Sequence, residues 1–232
     1  MYAFIELQAR FDEEANIYWS RKLEEVGARV TFGIAGLKVH AKLLSITRTE
    51  GGKKTRYACV STGNFHEGNA VVYSDLMLFT ADPRITGEVN KVFEFFENTY
   101  RNFTFRHLVN SPLFLRKKIY TLIENEIRNA RKGKEAYIIL KINNLVDKEI
   151  IYKMYRASQA GVKMKLIVRG ICSLIPGVPG LSENIEAISI IDKYLEHSRV
   201  IISCNGCETG QRELHPDRPR AQWIEKDIVD GF

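Results

Sequence analysis

A chain of 232 residues that is 45% hydrophobic is long enough for one large domain or two small ones with real cores. Its 34 basic residues against 28 acidic ones leave a net charge of +6, which favours an anionic partner. No run approaches the ~18 apolar residues of a membrane span, the opening MYAFIELQARFDEE lacks the basic and apolar regions of a signal peptide, and four cysteines are too few for a disulfide framework, so a reduced, cytoplasmic protein is expected.

Phe4 to Leu7 reads as a strand entered almost at the first residue, so the fold is expected to begin upstream. Glu13 to Val26 is expected to be helical, because Ala15, Trp19, Leu23 and Val26 recur at helical spacing, and Gly27 stops it. Arg29 to Phe32 is the next strand. Lys38 to Thr47 and Arg56 to Ser61 read as strands around the turn Glu50-Gly51-Gly52-Lys53, and Leu76 to Phe79 as another. Asp82 and Pro83 then open a helix as N-cap and first helical residue, with Val89, Val92, Phe93 and Phe96 as its buried stripe.

A second block begins near Phe105 to Pro112. Leu115 to Arg131 is helical and ends at Gly133. Tyr137 to Ile142 is a strand, Asp147 to Gln159 a helix stopped by Gly161, and Met164 to Val168 a strand, with a further strand at Val200 to Ser203. The blocks share a repeat at an offset of 134 residues: Ile17-Tyr18 matches Ile151-Tyr152, Lys22 matches Arg156, and Gly27 matches Gly161. A strand, loop, helix, glycine and strand recurring at one offset predict two similar α/β domains. Cys204 to Phe232 is polar, carries Pro216 and Pro219, and shows no periodicity; a poorly ordered tail or one short helix near Trp223 is expected.

Four groups of residues could carry chemistry. In Gly36-Leu37-Lys38-Val39-His40-Ala41-Lys42, strand geometry puts Lys38, His40 and Lys42 on one face. Two flanking lysines would keep the imidazole neutral and nucleophilic and hold an anion beside it; the alternative is an edge strand with a solvated basic face. Ser61-Thr62-Gly63-Asn64 is a small polar turn that could offer amides to phosphate oxygens. Tyr194 to Arg199 again places a basic residue, Arg199, two positions after a histidine, His197. One imidazole could attack phosphorus while the other protonates the leaving oxygen or holds the nucleotide; the alternative is two unrelated histidines among five. Arg10 and Asn144 occupy equivalent positions of the repeat, in loops after strands, where open α/β sheets bind ligands; Arg169 ends a strand and suits bidentate phosphate contact. Each could also be an ordinary surface or turn residue. Cys204-Asn205-Gly206-Cys207, without a second CxxC or paired histidines, is a poor zinc site, and Cys59 and Cys172 read as buried structural thiols.

Together the segments Glu6 to Asn16, Gly36 to Lys42, Thr62 to Phe65, Leu78 to Arg84 (LFTADPR), Asn143 to Lys148, Val168 to Pro176 (VRGICSLIP) and Tyr194 to Arg199 resemble the polyphosphate kinase family over about residues 4–206. The resemblance implies an α/β fold made of two phospholipase-D-like domains, both incomplete: 1–106 and 107–206, followed by a divergent tail at 207–232. It implies that N-terminal and head domains precede them. It implies that His40 is the phosphorylated nucleophile, that Tyr73, Arg169 and His197 contact ATP, and that Arg10 belongs to a magnesium site. A guanidinium has no lone pair for a cation, so Arg10 would act through phosphate oxygens that the magnesium also binds. Lys42, Asn64 and Asn144 are further candidate phosphate contacts. The family continues after about Gly206 with a strand and a Ser-Ala-Asp-Trp segment, whereas here Glu208 to Arg212 departs from it and an aberrant end is expected.

The implied activity is reversible transfer of the terminal phosphate of ATP to polyphosphate through a phosphohistidine. Its partners would be ATP, ADP, magnesium and inorganic polyphosphate, with no specific nucleic acid and no transmembrane segment. The full-length enzyme would be a homo-oligomer at the membrane periphery of the cytoplasm. A phospholipase-D-like phosphodiesterase would need an aspartate five residues after each H-x-K lysine, where Thr47 and Cys204 stand instead. A catalytically inactive fragment that binds polyanions is the other alternative.

Overall fold

The computed structural model describes residues 1–6, 13–112, 114–206 and 221–223. In chain order its elements are β1 (Tyr2–Ile5), α1 (Glu13–Glu25), β2 (Arg29–Phe32), β3 (Lys42–Glu50), β4 (Lys53–Ser61), α2 (Glu67–Val72), β5 (Met77–Thr80) and α3 (Pro83–Glu97). There follow α4 (Leu115–Arg131), β6 (Tyr137–Ile142), α5 (Lys148–Gln159), β7 (Lys163–Val168), β8 (Ile185–Ile188), β9 (Val200–Ser203) and β10 (Ala221–Trp223). The strands form a parallel pair β1-β2, a sheet of order β3-β4-β5, and a five-stranded sheet of order β10-β9-β6-β7-β8. The fold is mixed α/β, as expected. The chain divides into two compact units: Met1–Ala41, Ser45–Ala58 and Thr80–Thr104 in one, and Lys42–Leu44, Cys59–Phe79 and Phe105–Phe232 in the other.

The repeat read from sequence is visible in the backbone. β1-α1-β2 and β6-α5-β7 are both strand–helix–strand units with parallel strands, paired Tyr2 to Arg29 in one and Tyr137 to Lys163 in the other. Both helices end in the same way. Gly27 and Gly161 take φ of 80° and 92°. Gly27 N–H donates to Glu24 and Ala28 N–H to Leu23; Gly161 N–H donates to Ser158 and Val162 N–H to Ala157. This is the Schellman arrangement, which satisfies two of the last carbonyls and needs a residue that tolerates positive φ. Gly51 and Gly52, at φ of 55° and 79°, give the β3–β4 hairpin the two left-handed residues that a type I′ turn requires.

In the first unit, α1 turns a different side inward than its apolar spacing suggests. Trp19 and Val26 are exposed, at 61% and 73%, while Ser20 is buried. The Asn16 side-chain amide donates to the Glu6 carbonyl at 2.9 Å, and that bond faces the Asn16–Ser20–Leu23 side toward β1 and β2. Periodicity identified the helix but not the side that packs. The stripe of α3 is as expected: Val89 is fully buried, Phe96 stacks on Phe4 at 4.3 Å, and Phe93 meets Tyr2 edge-on. Asp82 caps this helix by accepting from Arg84 N–H, with Pro83 in its first turn.

In the second unit, β6, β7 and β8 are parallel, and β9 runs antiparallel to β6. Alternate residues Ile138, Leu140, Met164, Leu166 and Val168 share one face and are buried with Ile123 and Ile127 of α4 and Met154 of α5. Both helices therefore cover the same side of the sheet. The sequence reading assigned no element at α2 or β8, which have only six and four residues. Near Trp223, where a poorly ordered tail or one short helix was the expectation, β10 pairs with β9; residues 207–220 and 224–232 lie outside the described residues. No helix among the described residues is long and apolar enough to cross a membrane.

The α4–α5 contact is laced by charge. The Arg116 guanidinium reaches Asp147 at 3.0 Å and Glu149 at 3.2 Å, and the Tyr120 hydroxyl donates to Glu149 at 2.6 Å. Burial and that hydrogen bond push the Tyr120 phenol up to about 12. Burial raises the Asp147 carboxyl, but the Ile150 amide, the Arg116 guanidinium and the Glu149 amide outweigh it and hold it below its ordinary value. A lowered native value means a contribution fully present above the ordinary carboxylate value of about 4 and lost as pH falls through the lowered one. Asp147→Asn keeps a capping oxygen but removes the titration. It should cost on the order of 0.5 kcal/mol at pH 7, given solvent screening of the pair. The gap should close in acid, as pH falls through that lowered value. Urea unfolding of both proteins at neutral pH and in acid measures it; a gap that persists in acid would refute the assignment.

Candidate functional site

The carboxyl ends of the parallel strands β6 and β7, where open α/β sheets bind ligands, carry Asn143, Asn144 and Arg169. Beside them lies the segment Tyr194–Arg199, which leads into β9. It is fixed by three backbone hydrogen bonds to the stretch after α2: Leu195 N–H to Val72, Ser74 N–H to Leu195, and Ser198 N–H to Ser74. This short parallel run brings Tyr73 and Asp75 to His197. The Tyr73 and His197 rings are 5.1 Å apart and tilted by 45°. His197 Nδ1 lies 2.7 Å from Asp75 Oδ1, with both side chains largely buried.

Asp75 is itself held. The Thr62 hydroxyl donates to Asp75 Oδ1 at 2.7 Å and accepts from Leu76 N–H at 3.0 Å. A Cβ at position 63 would stand 2.1 Å from Asp75 Oδ2, so Gly63 is the residue that lets the carboxylate in. The turn Ser61-Thr62-Gly63-Asn64 thus serves the histidine. Its Thr62 and Gly63 amides donate to the Leu76 carbonyl and the Ser61 hydroxyl, not toward a ligand as the sequence reading had it. Asn64 is exposed.

Arg169 is anchored by Asn143 Oδ1, which accepts from Nε at 2.9 Å and from Nη2 at 2.6 Å, and by the Glu196 carbonyl, which accepts from Nη1 at 3.4 Å. The guanidinium is thereby set against the residue that precedes His197. The Glu196 carboxylate accepts from Lys141 Nζ at 2.6 Å, and the same ammonium donates to the Ser198 hydroxyl. Asn144 Oδ1 accepts from Ile171 N–H at 2.8 Å, so this side chain shapes the loop after β7.

The sequence reading placed Lys38, His40 and Lys42 on one face of a strand. The strand begins only at Lys42, because residues 34–37 form a tight turn with Gly36 at φ 76° and residues 38–41 are irregular. Lys38 is exposed, His40 half-buried and Lys42 buried. The irregular stretch is tied down by Val39 N–H, which donates to Glu6 Oε2 at 2.9 Å. Arg199, the counterpart of Lys42 after the second histidine, is also buried, and its Nη1 donates to the His197 carbonyl. In both motifs the second basic residue lies inside the protein.

Arg10 and Cys207 lie outside the described residues. Among the described residues no group of three or more His, Cys, Asp or Glu could hold a metal ion. A guanidinium has no lone pair to give a cation, so Arg10 by itself is not a magnesium ligand. Cys59 and Cys204 are buried, but Cys172, expected to be buried, is exposed in the loop after β7, where its Sγ lies 3.5 Å from the Leu174 carbonyl. Asp75 and Lys141 were not singled out from the sequence; Thr62 entered only as part of a candidate phosphate-binding turn, and Asn143 only as the first residue of a matching segment. Asp75 is 122 residues from His197, and no spacing rule links them.

Comparison with known proteins bears out the resemblance. Residues 1–102 match the family model for polyphosphate kinase C-terminal domain 1, and residues 108–211 that for C-terminal domain 2. The chain is 56% identical over 224 residues to a polyphosphate kinase of Vibrio parahaemolyticus, a match covering 97% of this chain and 32% of that protein. It is 50% identical to that of Escherichia coli K12 over the same shares. These matches continue past Gly206, into the stretch that the sequence reading set apart. Among solved structures, a polyphosphate kinase from Porphyromonas gingivalis aligns with a TM-score of 0.78 at 41% identity, over 90% of this chain and 34% of that one. The chain spans about a third of the length of these relatives.

Proposed function

Because the chain belongs to the polyphosphate kinase family, we propose that it carries the phosphoryl-transfer chemistry of an ATP:polyphosphate phosphotransferase, acting through a phosphohistidine at His40. A ring nitrogen of His40 attacks the γ-phosphorus of ATP in line. The new N–P bond forms as the bond from phosphorus to the bridging oxygen breaks, and ADP departs with that oxygen's electron pair. In the second step a terminal oxygen of polyphosphate takes the phosphoryl group from His40. An N–P bond is energy-rich, so both steps run in reverse.

The observation that best supports this reading is the pairing of His197 with Asp75 beside Tyr73 and Arg169. A carboxylate at Nδ1 fixes the imidazole's tautomer, so that Nε2 is where a proton is given or taken. His197 would donate there to the leaving β-phosphate oxygen. Arg169 and Lys42 would spread the charge of a loose transition state. Tyr73 would bound the nucleotide. Magnesium would arrive on the phosphates of ATP, as part of the substrate, with Arg10 on the same oxygens.

The deciding experiment incubates the protein with γ-labelled ATP. It uses the chain alone and the chain grafted in place of the matching third of the Escherichia coli relative. Label that is lost in acid and retained in base supports the reading. Salt-sensitive polyphosphate binding with no label in either form would establish the polyanion-binding alternative instead.

A further inference from the structure

We infer that Asn143 is a positioning residue that fixes the Arg169 guanidinium without neutralising it, so that a whole positive charge faces a phosphate ligand. This rests on the reading of Arg169 as a phosphate contact.

Where Arg29, Arg84, Arg101 and Arg116 are matched with carboxylates, Arg169 is gripped by neutral oxygens. One amide oxygen, Asn143 Oδ1, accepts from both Nε and Nη2, and a peptide carbonyl accepts from Nη1. A guanidinium has five N–H donors, so this grip leaves one on each terminal nitrogen to point at an anion. The nearby carboxylate that could neutralise it, Glu196, is engaged by Lys141 instead.

Asn143 is held as firmly as the arginine it holds. Its carbonyl accepts from Gly170 N–H at 2.7 Å. A Cβ at Gly170 would fall 2.4 Å from Asn144 Oδ1 and 3.1 Å from the Asn143 carbonyl. The loops after β6 and β7 therefore meet backbone to backbone only because residue 170 is glycine. Asn144 closes the same junction through Ile171 N–H. The guanidinium is fixed on a rigid strand end, and an oriented cation loses less freedom when a phosphate binds.

Aspartate is the discriminating substitution, because it keeps the oxygen that Arg169 uses and adds a negative charge. Binding of inorganic tripolyphosphate to the full 232-residue chain is to be measured by calorimetry at constant ionic strength. Asn143→Asp should melt at or above the parent temperature yet bind about tenfold more weakly, the effect of one charge at a half-buried site. Its deficit relative to the parent should shrink only in acid below the ordinary carboxylate value, since the guanidinium holds the new carboxyl ionised; a purely structural role would not produce that recovery. Arg169→Ala should weaken binding at least as much. If Arg169→Ala binds as the parent does, or the parent does not bind tripolyphosphate, the phosphate reading of Arg169 falls. If Arg169→Ala weakens binding and Asn143→Asp does not, the role assigned to Asn143 alone is overturned.

Discussion

Replacing His40 by alanine is expected to remove all acid-labile, base-stable label from protein treated with γ-labelled ATP. The loss should be complete, because a nucleophile that forms the covalent intermediate has no substitute in the step it performs. The fold should survive. His40 is half-buried in the irregular stretch before β3, and Val39 and Glu6 hold that stretch through a backbone amide. Truncation there should cost about 1 kcal/mol, a fall in melting temperature of about 2–4 °C for a chain of this size. Labelling and thermal unfolding are to be measured on the same preparations, with His40→Gln as a second variant of closer volume. Undiminished label in His40→Ala would remove the nucleophile from this position.

The second large effect is expected at the His197–Asp75 pair. His197→Ala should slow formation of the labelled protein by about 10²–10⁴-fold, the usual contribution of a positioned acid or base. Labelling should be slowed rather than abolished, since His40 remains. Asp75→Asn should slow it by about 100-fold, because the amide cannot stabilise the charged ring and can hold the wrong tautomer. Thr62 would still have an oxygen to donate to, so the fold around Gly63 should persist. A merely structural Asp75 would change stability and leave the pH dependence of labelling alone. A functional one changes that pH dependence as well as the rate. An Asp75→Asn protein that labels within twofold of the parent, with the same pH profile, would dissolve the pair's catalytic role.

What could be read from the sequence follows the range of the forces involved. The two strand–helix–strand units, the glycine stops at Gly27 and Gly161, the cap at Asp82 and the Gly51-Gly52 turn were all legible. Each depends on hydrogen bonds between residues a few positions apart, so residue type and spacing suffice. Candidate histidines and arginines were legible as residues. Their surroundings were not: strand alternation placed Lys42 beside His40 on an open face, whereas a turn delays the strand and Lys42 is buried.

The sequence by itself determined the α/β class, the longer local elements, the family and the residues able to do chemistry. Only the tertiary structure decided that α1 faces inward through Asn16 and Ser20, that Asp75 meets His197 across 122 residues, and that Asn143 grips Arg169 across 26. Those meetings depend on which strands pair, in what register, and where a missing Cβ lets two backbones touch. Such conditions are set jointly by distant segments, and the spacing of residues along the chain does not contain them.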